Sequence, residues 1–445
     1  MGAAGLSDDH PSAPALQTDV AVVGGGPAGA AAAATARAAG LEVCLIAGRS
    51  RHVPSGESLP PGTDRVVAQL FGPAALRPDE HRRAYGNRSA WGREALDSAD
   101  FMFDPLGPGW HLDRRAFDAG LIDSVRERGV QVVAAQVRRA QRRGSTWELG
   151  ARTRHGPLRV RVRFVIDAGG RTARFARAAG ARRRRFDRLV AVVWPLAGGR
   201  DRDATTTVEA TRDGWWYTSP HSGGHRIVAF LTDADLLPRR LDRLPAGWWP
   251  AAPPPGHVAA IVRDGGHHPA GPPRTTDAAT TCLEVPGDHT WLATGDAAVS
   301  VDPLSSQGIL TALAMGRQAG RAAAATVLGG EATQARAAYA RRYHEVLHDH
   351  LAHRAAYYAL EERWPQAPFW SRRRAIDRRH PLTTRQARRT STSGARPATW
   401  LCGTADRRRG ATRAAEQRPG VPARELRGAA FGETPDVTGP VWREG

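Results

Sequence analysis

Apolar and polar positions follow two successive regimes along this chain. Asp19 to Val23 is a short apolar run that reads as a buried parallel strand, and Ala28 to Ala39 reads as a helix of small residues. Leu41 to Ala47 supplies a second strand, so the three segments predict a βαβ unit. Strand and helix patterns alternate as far as the strand Val162 to Ala168. From about Arg188 the pattern changes. Leu189 to Trp194, Thr206 to Ala210, Trp215 to Ser219 and Arg226 to Leu231 are closely spaced strands that predict an antiparallel meander. A Pro/Gly/Trp-rich stretch, about 245–275, reads as a loop, and the parallel fold is expected to resume at Thr280 to Glu284. Leu304 to Leu328 predicts a long helix capped by Ser305 or Ser306, and a further helix spans about Thr333 to Glu362. Beyond Trp370 the periodicity fades while Arg, Thr, Ala and Gly accumulate, as in disordered segments.

These patterns predict an α/β chain in which an antiparallel sheet is inserted into a Rossmann-like fold. The expected plan is a disordered leader at 1–17, a nucleotide-binding domain at 18–187 and 280–330, and a substrate domain at 188–279. A helical segment at 331–370 and an Arg-rich tail at 371–445 complete it.

Two glycine-rich motifs carry the chemistry. In Val22-Val23-Gly24-Gly25-Gly26-Pro27-Ala28-Gly29, Gly24 allows the tight turn and Gly26 lets the backbone approach a pyrophosphate. Gly29 lets helix and strand pack closely, and the helix start with Pro27 and Ala28 offers free N–H groups to the phosphates. The second motif, Trp291-Leu292-Ala293-Thr294-Gly295-Asp296-Ala297, leads into Asp302-Pro303-Leu304-Ser305-Ser306-Gln307-Gly308-Ile309. Either motif alone is weak. Both at strand-to-helix junctions point to one extended dinucleotide held at both ends, FAD. The acidic residue that commonly ends the second strand and binds the adenosine ribose is missing, since the chain reads Ala47-Gly48-Arg49. Arg49 either serves an adenosine-side oxygen or is solvated.

Composition narrows the class. The chain has 445 residues, 41% of them hydrophobic, enough for a large core or two coupled ones. No apolar stretch approaches the roughly 18 residues of a membrane span, and no secretory signal is visible, so a cytoplasmic protein is expected. Cys44, Cys282 and Cys402 have no ligand spacing, and His267 and His268 lack a third ligand, so no metal is expected. The formal charge of +19 is concentrated in the tail: residues 371–445 carry 17 Arg against 7 acidic residues, a net +10, which leaves +9 for the rest. No lysine occurs anywhere. Without a basic face interleaved with aromatics, nucleic-acid binding is not expected.

Several further segments, in order, resemble flavin-dependent monooxygenases of the tryptophan-halogenase superfamily. They are Gly56-Glu57-Ser58-Leu59-Pro60-Pro61, Gly109-Trp110-His111-Leu112-Asp113-Arg114, Asp167-Ala168-Gly169-Gly170-Arg171 and Gly214-Trp215-Trp216-Tyr217, with Gly295 to Ile309. Glu362-Arg363-Trp364-Pro365 to Phe369-Trp370 adds to the set. The chain is most similar to the maturation flavoproteins of lysine and glycine oxidases that contain cysteine tryptophylquinone. The resemblance, over roughly residues 18–372, implies an aromatic-hydroxylase-like architecture. It implies FAD contacts from Gly295, Asp296, Pro303, Ser306, Gln307, Gly308 and Ile309, with Asp296 at the ribityl or pyrophosphate region. Gly308 and Ile309 would offer backbone N–H groups to the pyrimidine edge of the ring. Arg114 would contact the pyrophosphate or adenosine region, Glu57 and Ser58 would shape the ring pocket, and Asp167 would brace the crossover.

The same resemblance sets hydroxylation against halogenation. Those halogenases use a catalytic lysine, and this chain has none; arginine is a poor proton or halogen carrier. Hydroxylation asks the protein mainly to exclude water and orient the ring, because the cofactor carries the chemistry. Trp215 and Tyr217, with Trp216, either wall the pocket or pack the sheet, and His111 acts as a base or hydrogen-bond partner or is structural. No second nucleotide fingerprint appears, so electrons come from transiently bound NAD(P)H or from a separate flavin reductase. Arg182 to Arg185 either attract a phosphate or acidic partner or are solvated. The expected partner is an aromatic substrate, which by resemblance is a tryptophan of a precursor oxidase protein. A small-molecule tailoring hydroxylase, an FAD reductase and a catalytically silent peptide-binding protein are the alternatives.

Overall fold

The computed structural model describes residues 15–48, 57–199, 203–237 and 256–379. β1 (Ala15–Val23), α1 (Pro27–Ala38) and β2 (Val43–Ile46) form the βαβ unit, with Val20 opposite Val43 in parallel register. α1 is nearly all alanine after Pro27, which suits its first position, and its buried face runs from Pro27 to Ala36. Next come β3 (Glu57–Leu59), α2 (Thr63–Phe71), β4 (Gly86–Ala90), β5 (Asp97–Asp100), β6 (Gly109–Leu112) and α3 (Arg114–Glu127). Asp113 caps α3 by accepting from the N–H groups of Arg115 and Ala116. β7 (Gly156–Asp167) pairs in parallel with β1, Val23 opposite Asp167. The first sheet therefore runs Gln131–Val133, β2, β1, β7, then the antiparallel strands Thr146–Thr153 and Ala135–Arg143.

The second sheet is the expected meander: β8 (Leu189–Ala197), β9 (Thr205–Thr211), β10 (Gly214–Pro220) and β11 (Arg226–Asp233), in the order β8-β11-β10-β9. It is not confined to 188–279. β4 lies parallel to β9, and β5 extends the same edge, so two strands from the earlier part of the chain complete it. The stretch expected to be a loop at about 245–275 holds the helix Gly256–Asp264, and its residues 245–255 lie outside the described ones. Val258 and Val262 of that helix bury against Trp194 and Trp216, which gives an amphipathic segment a reason to coil.

The return to the first sheet comes later than expected. Thr281–Leu283 joins a small sheet with Arg183–Arg185 and Val299–Ser300, while β12 (Trp291–Ala293) takes the place beside β7. α4 (Gly308–Val327) then packs along α1 at a distance that only glycine permits. A Cβ on Gly316 would stand 2.2 Å from the carbonyl oxygen of Ala28. α4 begins at Gly308 and not at Leu304, because Pro303–Ser305 form a separate turn and Ser306 takes a left-handed φ of 50°. Neither Ser305 nor Ser306 caps it.

α5 (Ala332–Ala359) and α6 (Pro368–Arg379) close the described chain. α6 runs past residue 370, where the tail was expected to start, since Arg373 is buried and donates to Asp233 at 3.0 Å while Arg372 pairs with Asp233 and Asp235. At the other end, β1 starts at Ala15, inside the expected leader. Residues 1–14 and 380–445 lie outside the described residues. No helix among the described residues is long and apolar enough to cross a membrane.

Candidate active site

The first glycine motif turns from β1 straight into α1. Gly24 has a φ of 114°, and a Cβ on Gly29 would stand 1.9 Å from the Gly24 carbonyl oxygen, so both positions exclude a side chain. Gly26 is different: a Cβ there would meet nothing within 4 Å. It is the N-cap of α1, makes no side-chain capping bond, and no acidic residue stands in the first turn. The opening N–H groups of α1 and the positive end of its dipole are thus left without a side-chain acceptor.

The second motif reaches the same place. Gly295, at φ 58°, lies so close to Ala28 that an added Cβ would stand 2.6 Å from the alanine methyl. The Asp296 carboxylate is 3.4 Å from Arg171 and remains substantially exposed. Its backbone carbonyl accepts from Arg183 at 2.9 Å and from the Ser300 hydroxyl at 2.9 Å. Arg183 also donates to the Ser300 Oγ, and Arg171 donates to the carbonyls of Ala279 and Val301. Beyond, Asp302 is buried and accepts from the Leu304 N–H and the Tyr358 hydroxyl. α4 starts like α1: Gln307 provides no side-chain cap, the first turn has no acid, and a Cβ on Gly308 would meet only Val301, at 4.0 Å. Two uncapped helix starts therefore stand side by side.

A polar wall completes the site. Ser58 and His111 are register partners across β3 and β6, and the serine Oγ is 2.9 Å from the imidazole Nδ1. His111 Nε2 faces the Ala204 carbonyl at 3.1 Å, which can only accept. Nε2 must carry the proton, so Nδ1 accepts from Ser58. The Ser58 oxygen then accepts from the hydroxyls of Tyr217, at 3.4 Å, and Thr206, at 3.3 Å. Burial pushes the His111 pKa down to about 4, with the Ala204 bond opposing and Arg82, Arg226 and His221 assisting. Burial likewise raises that of the Tyr217 phenol.

The three expected residues of the aromatic strand separate. Alternation along β10 sends Trp216 to one face, where it stacks on Trp194 at 5.7 Å. Trp215 is 1% exposed, donates to the Tyr358 hydroxyl at 3.1 Å and packs beside Trp91, so it is a packing residue and not part of an open wall. Tyr217 alone stays partly exposed, against Ser58. His111, at 1% exposure with both ring nitrogens engaged, is a positioning residue that acts through Ser58, not a base in contact with substrate.

Arg114 pairs with Glu57 and, at 3.2 Å, with Asp118. Burial works against its charge, but the two carboxylates overcome this and hold the guanidinium above its ordinary range. Asp167 is fully buried and accepts from the N–H groups of Gly169 and Ala176, each at 2.8 Å, so its carboxylate braces the crossover backbone. Arg49 lies outside the described residues.

Residues 18–69 match the model of the pyridine nucleotide-disulphide oxidoreductases, and residues 87–225 match that of the tryptophan halogenases. LodB of Marinomonas mediterranea, which bears the name of an FAD-dependent oxidoreductase, is 26% identical over 370 residues, covering 80% of this chain and 97% of LodB. The solved structure of the myxobacterial chondrochloren halogenase CndH superposes with a TM-score of 0.69 at 23% identity, over 85% of this chain and 89% of that one. The peptidyl tryptophan dihydroxylase QhpG, described as essential for tryptophylquinone cofactor biogenesis, gives 0.63 at 23% identity over 80% and 79%. The chain is an FAD-dependent oxidoreductase.

The site of this flavoprotein fits its cofactor. A diphosphate suits the uncapped start of α1, where Gly26 leaves room, and an electron-rich ring edge suits the uncapped start of α4. Three contributors escaped sequence reading. Thr206 carried no signal, because only the pairing of β9 beside β4 brings it to Ser58. Arg183 looked like part of a solvated run, yet its side chain holds the Asp296 turn. Tyr358 comes from a distant helix, and its aromatic period gave no hint of Asp302.

Proposed function

We propose that the chain is an FAD-dependent monooxygenase that hydroxylates an electron-rich aromatic ring, and that the ring is a tryptophan of a precursor protein in tryptophylquinone biogenesis. The observation that carries this reading is the wall itself: a partly exposed tyrosine ring backed by neutral hydroxyls and a neutral imidazole, in a chain without a single lysine. That wall offers nothing to capture a hypohalous acid, although the fold is one that halogenases share. The likeness to LodB and to QhpG supports the tryptophan and the protein substrate.

FAD, when bound, supplies electron transfer and the activation of dioxygen. The rest falls to the chain. Gly24, Gly26, Pro27, Ala28 and Gly29 would hold the diphosphate on the backbone N–H groups of α1, with Asp296 facing the ribityl side. Pro303, Ser306 and Gln307 would shape the turn from which Gly308 and Ile309 direct N–H groups and the α4 dipole at the ring edge, where negative charge is stabilised. Glu57 is fixed by Arg114 and keeps the β3 strand, and with it Ser58, in place. Ser58 holds the Tyr217 phenol at one angle, and the tyrosine ring orients the substrate while the sheet behind it excludes water. Reducing equivalents arrive from NAD(P)H or from a separate flavin reductase.

The test is incubation of the flavin-loaded chain with NADH, a flavin reductase, oxygen and bromide, against a precursor oxidase chain and against free tryptophan. Oxygen mass on a precursor tryptophan is the expected result. Bromine incorporation overturns the hydroxylase reading, and oxygen on the free amino acid alone overturns the protein-substrate part.

A further inference from the structure

Most large apolar side chains that this protein exposes fall in one place. Tyr85 is 52% exposed, Met102 72%, Phe103 91% and Leu106 43%, whereas the other exposed ones, Val285, Leu328 and Leu360, are scattered. The four belong to the approach to β4 and to the loop between β5 and β6. They are brought together because the Phe101 N–H donates to the Tyr85 carbonyl at 2.8 Å. Leaving such side chains in water is unfavourable, and a contiguous exposed apolar patch marks an interaction site more often than chance.

The loop that presents them is built to be rigid. Asp100 accepts from the Met102 N–H at 2.7 Å and Asp104 from the Leu106 N–H at 2.9 Å, and two backbone bonds, Asp104 to Phe101 and Gly107 to Asp104, close the turn. The acidic side chains of the loop are thereby occupied by its own backbone. The charges left facing outward beside it are basic: Arg65, which donates to the Pro105 carbonyl, and Arg83, whose guanidinium lies 3.6 Å over the Trp110 ring.

The patch is continuous with the wall of the site. The Tyr85 N–H and His111 Nε2 both donate to the carbonyl of Ala204, each at 3.1 Å. Leu106 sits against Gly62, in the segment that follows Ser58, and β6 carries the chain from the loop to His111 within a few residues. A ligand seated on Phe103 and Met102 would therefore lie next to the opening beside Tyr217, and a small aromatic molecule is too short to need both.

We propose that Tyr85, Met102, Phe103 and Leu106, flanked by Arg65 and Arg83, form the docking surface for a polypeptide substrate whose apolar residues are bordered by acidic ones, and that this surface delivers the aromatic side chain to the wall at Ser58 and Tyr217. It rests on the reading of the chain as an aromatic hydroxylase. Apolar anchors give the contact its affinity, and the arginines select an acidic border over a basic one.

The experiment uses the full flavin-loaded chain and a dye-labelled peptide of alternating Glu and Leu around a central Trp, with the Glu-to-Lys peptide and phosphatidylglycerol vesicles as comparisons. Fluorescence anisotropy should give saturable binding of the acidic peptide that weakens about tenfold in Met102→Glu and Phe103→Glu and persists in Phe103→Leu. Both charged variants replace exposed side chains, so flavin content and melting should match the parent. Equal binding by parent and charged variants overturns the proposal, as do no binding of the acidic peptide, preference for the Lys peptide, or binding of vesicles instead. Oxygen incorporation into the same peptide and into free tryptophan is measured in parallel. If the peptide binds at the patch and neither gains oxygen, the hydroxylase reading fails while the docking surface stands. If free tryptophan gains oxygen and the peptide does not bind, the docking surface fails while the hydroxylase reading stands.

Discussion

Gly295 lies against Ala28: a Cβ on the glycine would stand 2.6 Å from the alanine methyl, and its φ of 58° belongs to the left-handed region. Through this contact the turn after β12 meets the start of α1, so two motifs far apart in the chain border one space. The close packing of Gly316 and Gly320 on the Ala28 and Ala32 carbonyls makes the contact rigid. A single extended cofactor can touch both motifs only because of it.

Gly295→Val should therefore lower flavin affinity more than stability. Left-handed backbone costs a branched residue about 1–2 kcal/mol, and the side chain must also displace Ala28. We expect flavin titration to give at least a tenfold weaker dissociation constant, while circular dichroism keeps its native form. Unchanged affinity would contradict the shared-cradle geometry.

His111 makes stability depend on acid. Its folded pKa, about 4, is below the ordinary value of about 6.5, so between these values the unfolded chain binds more protons. Stability is thus complete above about pH 6.5 and falls as pH drops toward 4, by about 3 kcal/mol from this group alone. Denaturant melts of His111→Gln over that window should have a shallower slope by up to about 1.4 kcal/mol per pH unit. Parallel curves for parent and variant would refute the neutral-imidazole assignment. His350, pushed down to about 3 by burial, keeps a similar dependence in both proteins.

Tyr217 and Trp215 share a strand and should behave differently. Tyr217→Phe removes the phenol that bonds Ser58, a loss of about 1 kcal/mol that should appear as a roughly fivefold fall in kcat/KM for the aromatic substrate. Trp215→Phe loses the bond to Tyr358 and some volume in the core, and should destabilise by about 1–3 kcal/mol with kcat/KM near the parent value. Steady-state kinetics and chemical melts on the same preparations separate the two; the reverse pattern would restore Trp215 to the substrate wall.

Arg373 anchors α6 to the substrate sheet. It is 2% exposed and, with Arg372, neutralises the buried Asp233. Removing one partner of a buried pair leaves an uncompensated charge, so Arg373→Ala should cost about 3–5 kcal/mol. Asp233→Asn in the same background should recover part of that loss. A melt within about 0.5 kcal/mol of the parent would mean that α6 contributes little to the fold.

The βαβ start, the four strands of the meander and the two long helices were legible because their signals are local: apolar runs, glycine turns and 3.6-residue periodicity lie within each segment. The edges of these elements were less so. Ser306 ended up in a left-handed turn because Pro303 and the Asp302 cap close a tight loop ahead of α4, and Arg373 became a core residue because Asp233 waits on a distant strand. Neither competitor is a neighbour in sequence.

For the site, the chain by itself determined which residues would turn, cradle and cap: glycines and helix starts carry their geometry with them, and the absence of lysine is a property of composition. Which side chains meet was decided by tertiary structure. Strand register set Ser58 opposite His111 and brought Thr206 and Tyr217 onto the same hydroxyl, while the alternation of β10 buried Trp215 and left Tyr217 at the surface. Register depends on pairing between strands remote in sequence, and a shift of one residue would exchange the two faces.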